Sequence, residues 1–280
     1  MIACQCWLYC ALLRILRPNR NYRHLDINVM VSYYNWAALL EGELPEGYQI
    51  IYEDLSTHLR WSAVVDDIYN PKHYFLLFPG TDDAEDIRAD LSIWKRRYRF
   101  AVPYEEHPNS VNWSDQRVHS GFYNAYLNIC KGLGTLLASI EKTDRTQLSL
   151  IGHSLGGAIA YFAALDVHYN RMWTRDQIRV MTLGAPRIGN FAFVCAYRGR
   201  LGTQTIRLVN SEDIVARMPI RLLGYVDIVP ETFIGKPRGY FYLLPWKNDF
   251  RDHIIRSYLR VLQRQEAVRD PSTPSVRDLV

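Results

Sequence analysis

The longest uncharged stretch of the chain, residues 146–165, constrains the fold more than any other feature. Twenty such residues are long enough to be interpreted as a membrane span on hydropathy alone. The stretch nevertheless contains Gln147, His153, two serines and three glycines, which would interrupt an apolar helix. Leu148, Leu150 and Ile151 in its first part suit a buried strand, and its last eight residues suit a helix. The pattern therefore predicts a strand, a tight turn and a helix.

The elements around this stretch alternate between strands and helices. Apolar periodicity predicts further helices at 26–40, 120–142 and 253–265, and strands at 48–53, 59–66, 73–78, 179–183, 205–209 and 240–244. Strands that alternate with helices indicate an α/β fold with a mostly parallel central sheet flanked by helices. No linker-like composition interrupts the middle of the chain. We expect one domain at 26–265, between an N-terminal extension at 1–25 and a flexible tail at 266–280.

The turn within the uncharged stretch has the pattern G-x-S-x-G, centred on Ser154. In a nucleophile elbow, the serine stands on a sharp turn between a strand and a helix, where its hydroxyl is presented to substrate. Gly152 and Gly156 suit this turn because a strand and a helix without Cβ atoms can approach closely. The alternative is a serine in an incidental glycine-rich turn. The strand before it and the helix after it favour the α/β-hydrolase fold, with Ser154 as nucleophile.

Chain order then selects the partners of the serine, since α/β-hydrolases carry the nucleophile first, the acid second and the histidine last. Only His168 and His253 follow Ser154, and His168 lies within the same predicted helix. Asp213 follows a predicted strand end, where functional residues of parallel sheets gather. We therefore predict His253 as base and Asp213 as acid, with Asp227 as the second candidate acid. For His253 the alternative is a surface histidine at a helix start.

The sequence also indicates roles for the oxyanion donors and for several polar residues outside the predicted triad. An oxyanion hole needs two donors, each worth about 3 kcal/mol of barrier. We expect them to be the N–H of Leu155 and the N–H or hydroxyl of Thr81, which follows the strand at 73–78. Arg187 and Asn190 are interpreted as structural, and Asp252 as the N-cap of the terminal helix. This chemistry requires no metal and no organic cofactor.

Matching segments in a fixed order extend along most of the chain. They read F-P-G-T at 78–81, A-D-L at 89–91, V-H-S-G-F at 118–122, G-H-S-L-G-G-A at 152–158, L-G-A-P-R-I-G-N at 183–190, R-L-V-N-S-E-D-I-V at 207–215 and D-H-x4-Y at 252–258. On these segments the chain resembles the class 3 lipase family, the fungal triacylglycerol lipase-like α/β-hydrolases, over residues 26–262. The resemblance implies an ester hydrolase for acylglycerol-type lipids. It assigns the same nucleophile, acid, base and oxyanion donors as the chain order does.

The chain departs from the family pattern at two places. Pro79 stands where family members usually carry arginine before the Gly-Thr pair. The segment from Asp82 to Asp90 occupies the lid position, and acidic residues dominate it, whereas lids that open on oil droplets are amphipathic. Its polarity favours a small or soluble ester and weak activation by droplets. Two alternatives remain open: a lipase-like protein that binds lipid or a partner without turnover, and an esterase or acyltransferase for short esters.

The surface features bear on partners and location. The formal net charge of +4 is too small to indicate nucleic-acid binding. From Trp94 to Phe100, around the basic residues Lys95 to Arg99, basic and aromatic residues are interleaved, which suits anionic lipid, single-stranded nucleic acid, or a solvated loop or edge strand. Cys4, Cys6 and Cys10 lie in an apolar segment that precedes its basic residues, the reverse of a signal peptide. We expect an intracellular protein whose first residues form either a membrane-surface anchor or a locally packed extension.

Overall fold

A seven-stranded sheet forms the centre of the structure. The computed structural model describes residues 27–54, 59–67, 69–70, 72–80, 94–98, 115–211, 213–235 and 250–269. The strands are β1 (Gln49–Asp54), β2 (Trp61–Val65), β3 (His73–Phe78), β4 (Lys95–Arg97), β5 (Arg117–His119), β6 (Gln147–His153), β7 (Ile178–Leu183), β8 (Thr205–Asn210) and β9 (Glu231–Ile234). The α-helices are α1 (Ile27–Ala38), α2 (Ser120–Ser139), α3 (Leu155–Asn170), α4 (Phe191–Leu201) and α5 (Ile255–Arg269). Short 3-10 helices lie at Leu39–Glu41, Arg175–Gln177, Gly202–Gln204, Val215–Arg217, Arg221–Leu223 and Phe250–Asp252.

The strand order is β1-β2-β3-β6-β7-β8-β9. The first three strands are antiparallel, and every pair from β3 to β9 is parallel. A parallel pair needs a crossover connection, and α2, α3 and α4 lie in the connections between successive strands from β3 to β8. The carboxyl ends of β3, β6, β7 and β8 therefore meet at one edge of the sheet, here called the carboxyl edge.

The two faces of the sheet are covered by different helices. Leu76 and Phe78 of β3 point to the face packed by α2, α3 and α4. Phe75 and Leu77, which alternate with them, point to the face packed by α1 and α5. This alternation is the ordinary consequence of the two-residue strand period. Because both faces are covered, the sequence of β3 after His73 is a nearly continuous apolar run.

The described residues confirm most of the predicted elements. The uncharged stretch forms β6, the turn at Ser154 and α3, and no helix in the described part of the chain is long and apolar enough to cross a membrane. The predicted fold class, an α/β fold with a mostly parallel sheet flanked by helices, is confirmed. The expected strand at 240–244, the extension at 1–25 and most of the tail lie outside the described residues. The sequence did not indicate β9, which is only four residues long.

A second, two-stranded sheet lies beside the carboxyl edge. Its strands β4 and β5 are antiparallel, so the basic segment from Lys95 begins as a strand. Isolated bridges continue it from Val118 to Gly189 and from Gly189 to Val226. The small sheet therefore joins the start of α2 to the loops that follow β7 and β8.

Candidate active site

Ser154 occupies the turn between β6 and α3 in a strained conformation. Its φ is 55° and its ψ is −125°, a region that residues with a Cβ atom rarely adopt. Two backbone hydrogen bonds hold the turn. The Ser154 N–H donates to the carbonyl of Leu183 at 3.0 Å, and the Gly157 N–H donates to the carbonyl of Ser154 at 3.0 Å. The strain is thus fixed by neighbouring backbone, as a nucleophile elbow requires.

The two glycines of the motif permit close backbone packing, as their spacing predicts. A Cβ atom on Gly152 would lie 2.4 Å from the carbonyl oxygen of Gly156. A Cβ atom on Gly156 would lie 2.0 Å from the carbonyl oxygen of Phe78, at the end of β3. Any side chain at either position would push the start of α3 away from the strands.

His253 connects the serine to a carboxylate. Its Nε2 lies 2.8 Å from the Oγ of Ser154, and its Nδ1 lies 2.9 and 3.0 Å from the two carboxylate oxygens of Asp213. A carboxylate can only accept, so in the neutral ring Nδ1 donates to Asp213 and Nε2 accepts from the serine hydroxyl. All three side chains are buried. The structure therefore brings together the three residues that chain order selected.

Asp213 is held by three further contacts. The hydroxyl of Tyr258 donates to its Oδ2 at 2.5 Å, and the N–H groups of Val215 and Ala216 donate to its Oδ1 at 2.9 and 3.4 Å. Burial alone would raise the pKa of Asp213. The charge and hydrogen bond of His253, together with the Tyr258 hydroxyl, instead hold that pKa below its ordinary value. Asp213 is therefore an anion that can stabilise a protonated His253.

Two neighbours of this cluster had no role assigned from the sequence. His153 lies with its ring 4.8 Å from the ring of His253, and its Nε2 donates to the backbone carbonyl of His253 at 2.6 Å. Burial and the nearby His253 lower the pKa of His153 to about 4, so it is a neutral clamp on the His253 backbone. Gly184 has a φ of 62°, and a Cβ atom there would lie 2.6 Å from the Oδ2 of Asp213.

Of the two expected oxyanion donors, the structure describes one. Leu155 is the first residue of α3, where helix N–H groups have no acceptor within the helix, and it directly follows Ser154. The positive end of the helix dipole adds to this donor potential. Thr81 lies outside the described residues. The glycine before it lies against the elbow, since a Cβ atom on Gly80 would be 2.5 Å from the carbonyl oxygen of His153.

The structure separates the other candidates from this cluster. Asp227 binds three arginines, Arg187, Arg207 and Arg221, and has no contact with His253 among its described partners. His168 lies within α3, and its Nδ1 contacts the carbonyl oxygen of Trp173 at 3.1 Å.

The structural interpretations of Arg187 and Asn190 agree with their contacts. Arg187 belongs to the buried ion-pair network of Asp227, and Asn190 caps α4 by accepting from the N–H of Phe193. The expectation for Asp252 was wrong. Because α5 begins at Ile255, Asp252 lies in the preceding 3-10 helix and not at the N-cap position. Within the described ranges no group of acidic, histidine or cysteine side chains could hold a metal ion.

An α/β sheet with a strained serine at a strand–helix turn, hydrogen-bonded to a histidine and a buried aspartate, is the arrangement that the α/β-hydrolase class of proteins presents. The chain belongs to the class 3 lipase family, whose model, "Lipase (class 3)", matches residues 75–223. The predicted resemblance is therefore confirmed.

Comparisons with individual proteins agree with this assignment. The chain is 28% identical to a lipase of Rhizomucor miehei over 191 residues, 65% of this chain and 49% of that protein. It is 34% identical to a chloroplastic phospholipase A1-Igamma1 of Arabidopsis thaliana over 202 residues, 70% of this chain and 35% of that protein. The chain thus spans about half the length, or less, of the curated relatives it matches.

Solved structures show the same fold. A fungal lipase–inhibitor complex superimposes with a TM-score of 0.61 at 21% identity, over 81% of this chain and 92% of that chain. The Rhizomucor miehei lipase–propeptide complex superimposes with a TM-score of 0.60 at 23% identity, over 75% of this chain and 67% of that chain. At such identities the likeness supports the fold alone.

Proposed function

We propose that the protein is a serine carboxylic-ester hydrolase that acts on acylglycerol-type lipid esters. The observation that carries the proposal is the continuous hydrogen-bonded chain from the Oγ of Ser154 through His253 to Asp213. Membership of the class 3 lipase family supports the same reaction type. The proposal assigns this activity to the predicted domain at 26–265.

In the proposed mechanism, Nε2 of His253 accepts the proton of Ser154 as its Oγ attacks the ester carbonyl. The Leu155 N–H and Thr81 donate to the oxyanion, and Asp213 stabilises the protonated histidine. His253 then gives the proton to the departing alcohol, which leaves an acyl-enzyme. Water attacks the acyl-enzyme, His253 takes its proton, and the free fatty acid departs with Ser154 restored.

The substrate class rests on the relatives. They include a lipase, a phospholipase A1 and a secreted mono- and diacylglycerol lipase of Gibberella zeae. All of these act on an ester that links a fatty acyl chain to a glycerol backbone, and this shared bond is the one we propose for the chain. The predicted lid from Asp82 to Asp90 lies outside the described residues, so weak activation by droplets stays a prediction from its polarity.

Labelling with a fluorophosphonate probe tests the nucleophile. We expect the wild-type protein and a Ser139→Ala control to be labelled, and Ser154→Ala not to be labelled. Ser139 lies at the end of α2, where its hydroxyl donates to the carbonyl of Leu136, so its removal leaves the site intact. A well-folded wild-type protein that the probe fails to label would overturn the proposal in favour of a non-catalytic, lipid-binding or partner-binding protein.

A panel of esters then tests the substrate. Acylglycerols and soluble esters of increasing chain length are supplied both dispersed and dissolved, and free fatty acid is measured. We expect acylglycerol hydrolysis that Ser154→Ala abolishes. Activity confined to short soluble esters would favour the esterase alternative, and acyl transfer to added alcohol without free acid would favour a transferase. Activity on long chains only as droplets would contradict the interpretation of the polar lid.

A further inference from the structure

Exposed apolar side chains gather at one place beside the carboxyl edge. Of the ten large apolar side chains that are exposed in the described structure, four lie in two short segments: Trp94, Ile220, Leu222 and Leu223. Leu222 is 91% exposed and Trp94 is 74% exposed. Scattered exposed apolar residues are ordinary, but a group of them on one surface marks an interaction site.

The two segments are in direct contact. The ammonium group of Lys95 donates to the carbonyl of Leu223 and lies 4.2 Å from the ring centroid of Tyr225. Trp94 precedes Lys95, and its carbonyl accepts from the N–H of Ser120 at the start of α2. Trp94 and the turn that carries Leu222 therefore flank the same lysine. We call Trp94, Lys95, Arg97, Ile220, Leu222 and Leu223 the basic–apolar surface.

Two cations beside these apolar groups, Lys95 and Arg97, have no carboxylate among their described contacts, whereas Arg221 pairs with Asp227. The described segments 94–98 and 214–225 contain the five basic residues Lys95, Arg96, Arg97, Arg217 and Arg221 and no acidic residue. Arg97 is exposed, and Lys95 is bonded to a neutral carbonyl and not to a carboxylate. Apolar side chains that enter acyl chains, beside cations that meet phosphate groups, suit a membrane with anionic lipids. A neutral protein partner would leave the cations without partners.

The surface also lies near the carboxyl edge, where Ser154 follows the end of β6. The loop that contains Ile220 begins after β8, at the same edge as Asp213. Arg187, which follows β7, fixes that loop by donating to the carbonyls of Arg217 and Pro219. A membrane bound here would therefore lie near the edge at which the serine is placed.

We propose that the basic–apolar surface docks the protein on anionic phospholipid membranes. The inference rests on the proposed function in one respect, because docking there would deliver the site to a lipid ester. Docking itself requires no turnover. The alternative occupant is a second copy of the chain, whose apolar surface would cover the same four side chains.

Vesicle sedimentation with the full-length Ser154→Ala protein tests docking without hydrolysis of the vesicle. We expect binding to phosphatidylcholine vesicles that contain phosphatidylserine, weaker binding without phosphatidylserine, and a loss of binding as salt is raised. Leu222→Ser and Trp94→Ser should each weaken binding about tenfold because an apolar side chain no longer enters the bilayer. Arg97→Gln should weaken binding to the anionic vesicles about fivefold and leave the neutral ones unchanged.

Matched controls lie elsewhere on the protein. Tyr69, 94% exposed, is in the connection between β2 and β3 at the opposite edge, and Arg260 is exposed on α5. Tyr69→Ser and Arg260→Gln should bind like the parent. Absence of binding to anionic vesicles, or equal effects of surface and control variants, would overturn docking. Docking would also be overturned if the parent formed a dimer that Leu222→Ser lost while vesicle binding stayed unchanged. That result would assign the surface to a second copy of the chain.

Activity on a soluble short ester separates this inference from the proposed function. In the background with Ser154 intact, Leu222→Ser and Trp94→Ser should hydrolyse the soluble ester at the wild-type rate, and should lose activity only on vesicle substrates. An inactive wild type that still docks would contradict the proposed function alone. An active wild type that does not dock would contradict this inference alone.

Discussion

Two buried aspartates follow β8 in the same loop, and their surroundings differ in one chemical respect. Asp213 contacts an imidazole, the tyrosine hydroxyl of Tyr258 and backbone N–H groups. Asp227 contacts three guanidinium groups, with its Oδ1 at 2.6 Å from the Nε of Arg187. Burial would raise the pKa of both, and in both cases the neighbouring cations and hydrogen bonds lower it instead.

The difference shows that burial and a lowered pKa do not by themselves identify a catalytic acid. An arginine keeps its proton throughout the accessible pH range, so its partner carboxylate has a fixed structural charge. A histidine gains and loses a proton near neutral pH, so the carboxylate beside it can take part in proton transfer. By this reasoning we expect Asp213 to act on the reaction and Asp227 to act on the fold.

Replacing Asp213 should produce the largest effect on activity. We expect Asp213→Asn to lower kcat on a soluble ester by about 10⁴-fold, because the amide can impose the wrong tautomer on His253 and carries no charge to stabilise its protonated form. Initial rates at saturating ester measure this, with circular dichroism to show that the variant is folded. A folded Asp213→Asn protein that retains wild-type kcat would remove Asp213 from the mechanism.

Replacing Asp227 should instead affect stability. Asp227→Asn leaves Arg187 buried without its carboxylate, whereas Arg207 keeps its 2.8 Å pair with Glu231. Loss of one partner from a buried ion pair costs about 3 to 5 kcal/mol. Urea denaturation measures the free energy of unfolding. The matched control is Asp115→Asn, whose 2.7 Å pair with Arg117 is about half exposed and should contribute less than about 1 kcal/mol.

The pH dependence of this contribution has a definite sign. The folded pKa of Asp227 lies below its ordinary value of 3.8. The stabilisation is therefore complete above about pH 4 and is lost as the pH falls through the lower, folded pKa. The stability difference between wild type and Asp227→Asn should shrink over that acid range. If folded Asp227→Asn instead loses as much kcat as Asp213→Asn, the distinction between the two aspartates is wrong.

Local sequence signals predicted the sheet and the serine, and contacts distant in sequence explain what they missed. The apolar strand before Gly152 and the helix after Ser154 occupy adjacent positions, so one motif specified the elbow. The strand β9 pairs with β8 from more than twenty residues away, and nothing in its four residues indicates that pairing. Likewise, the contact of His153 with the His253 carbonyl spans one hundred residues.

Of the three substitutions Asp213→Asn, Asp227→Asn and Tyr258→Phe, we expect the last to have the smallest effect. Tyr258→Phe removes one donor from Asp213 but leaves the N–H of Val215 and the imidazole of His253, so we expect kcat to fall only about threefold to tenfold. The lost donor should also raise the pKa of Asp213. A less stabilised Asp213 anion would hold a proton on His253 more strongly, and only the unprotonated imidazole can act as base, so activity should begin to fall at a higher pH on the acid side of the profile.

If Tyr258 only supported the fold, its replacement would not change the pH at which activity falls on the acid side of the profile. The matched control is Tyr197→Phe, since Tyr197 is also fully buried and its hydroxyl contacts Thr205 at 2.9 Å, away from Asp213. We expect the control to lose stability to a similar extent and to keep the wild-type pH profile. If both variants shift the profile equally, the Tyr258 hydroxyl acts only through packing. In that case only His253 and the backbone donors distinguish the catalytic role proposed for Asp213 from the structural role of Asp227.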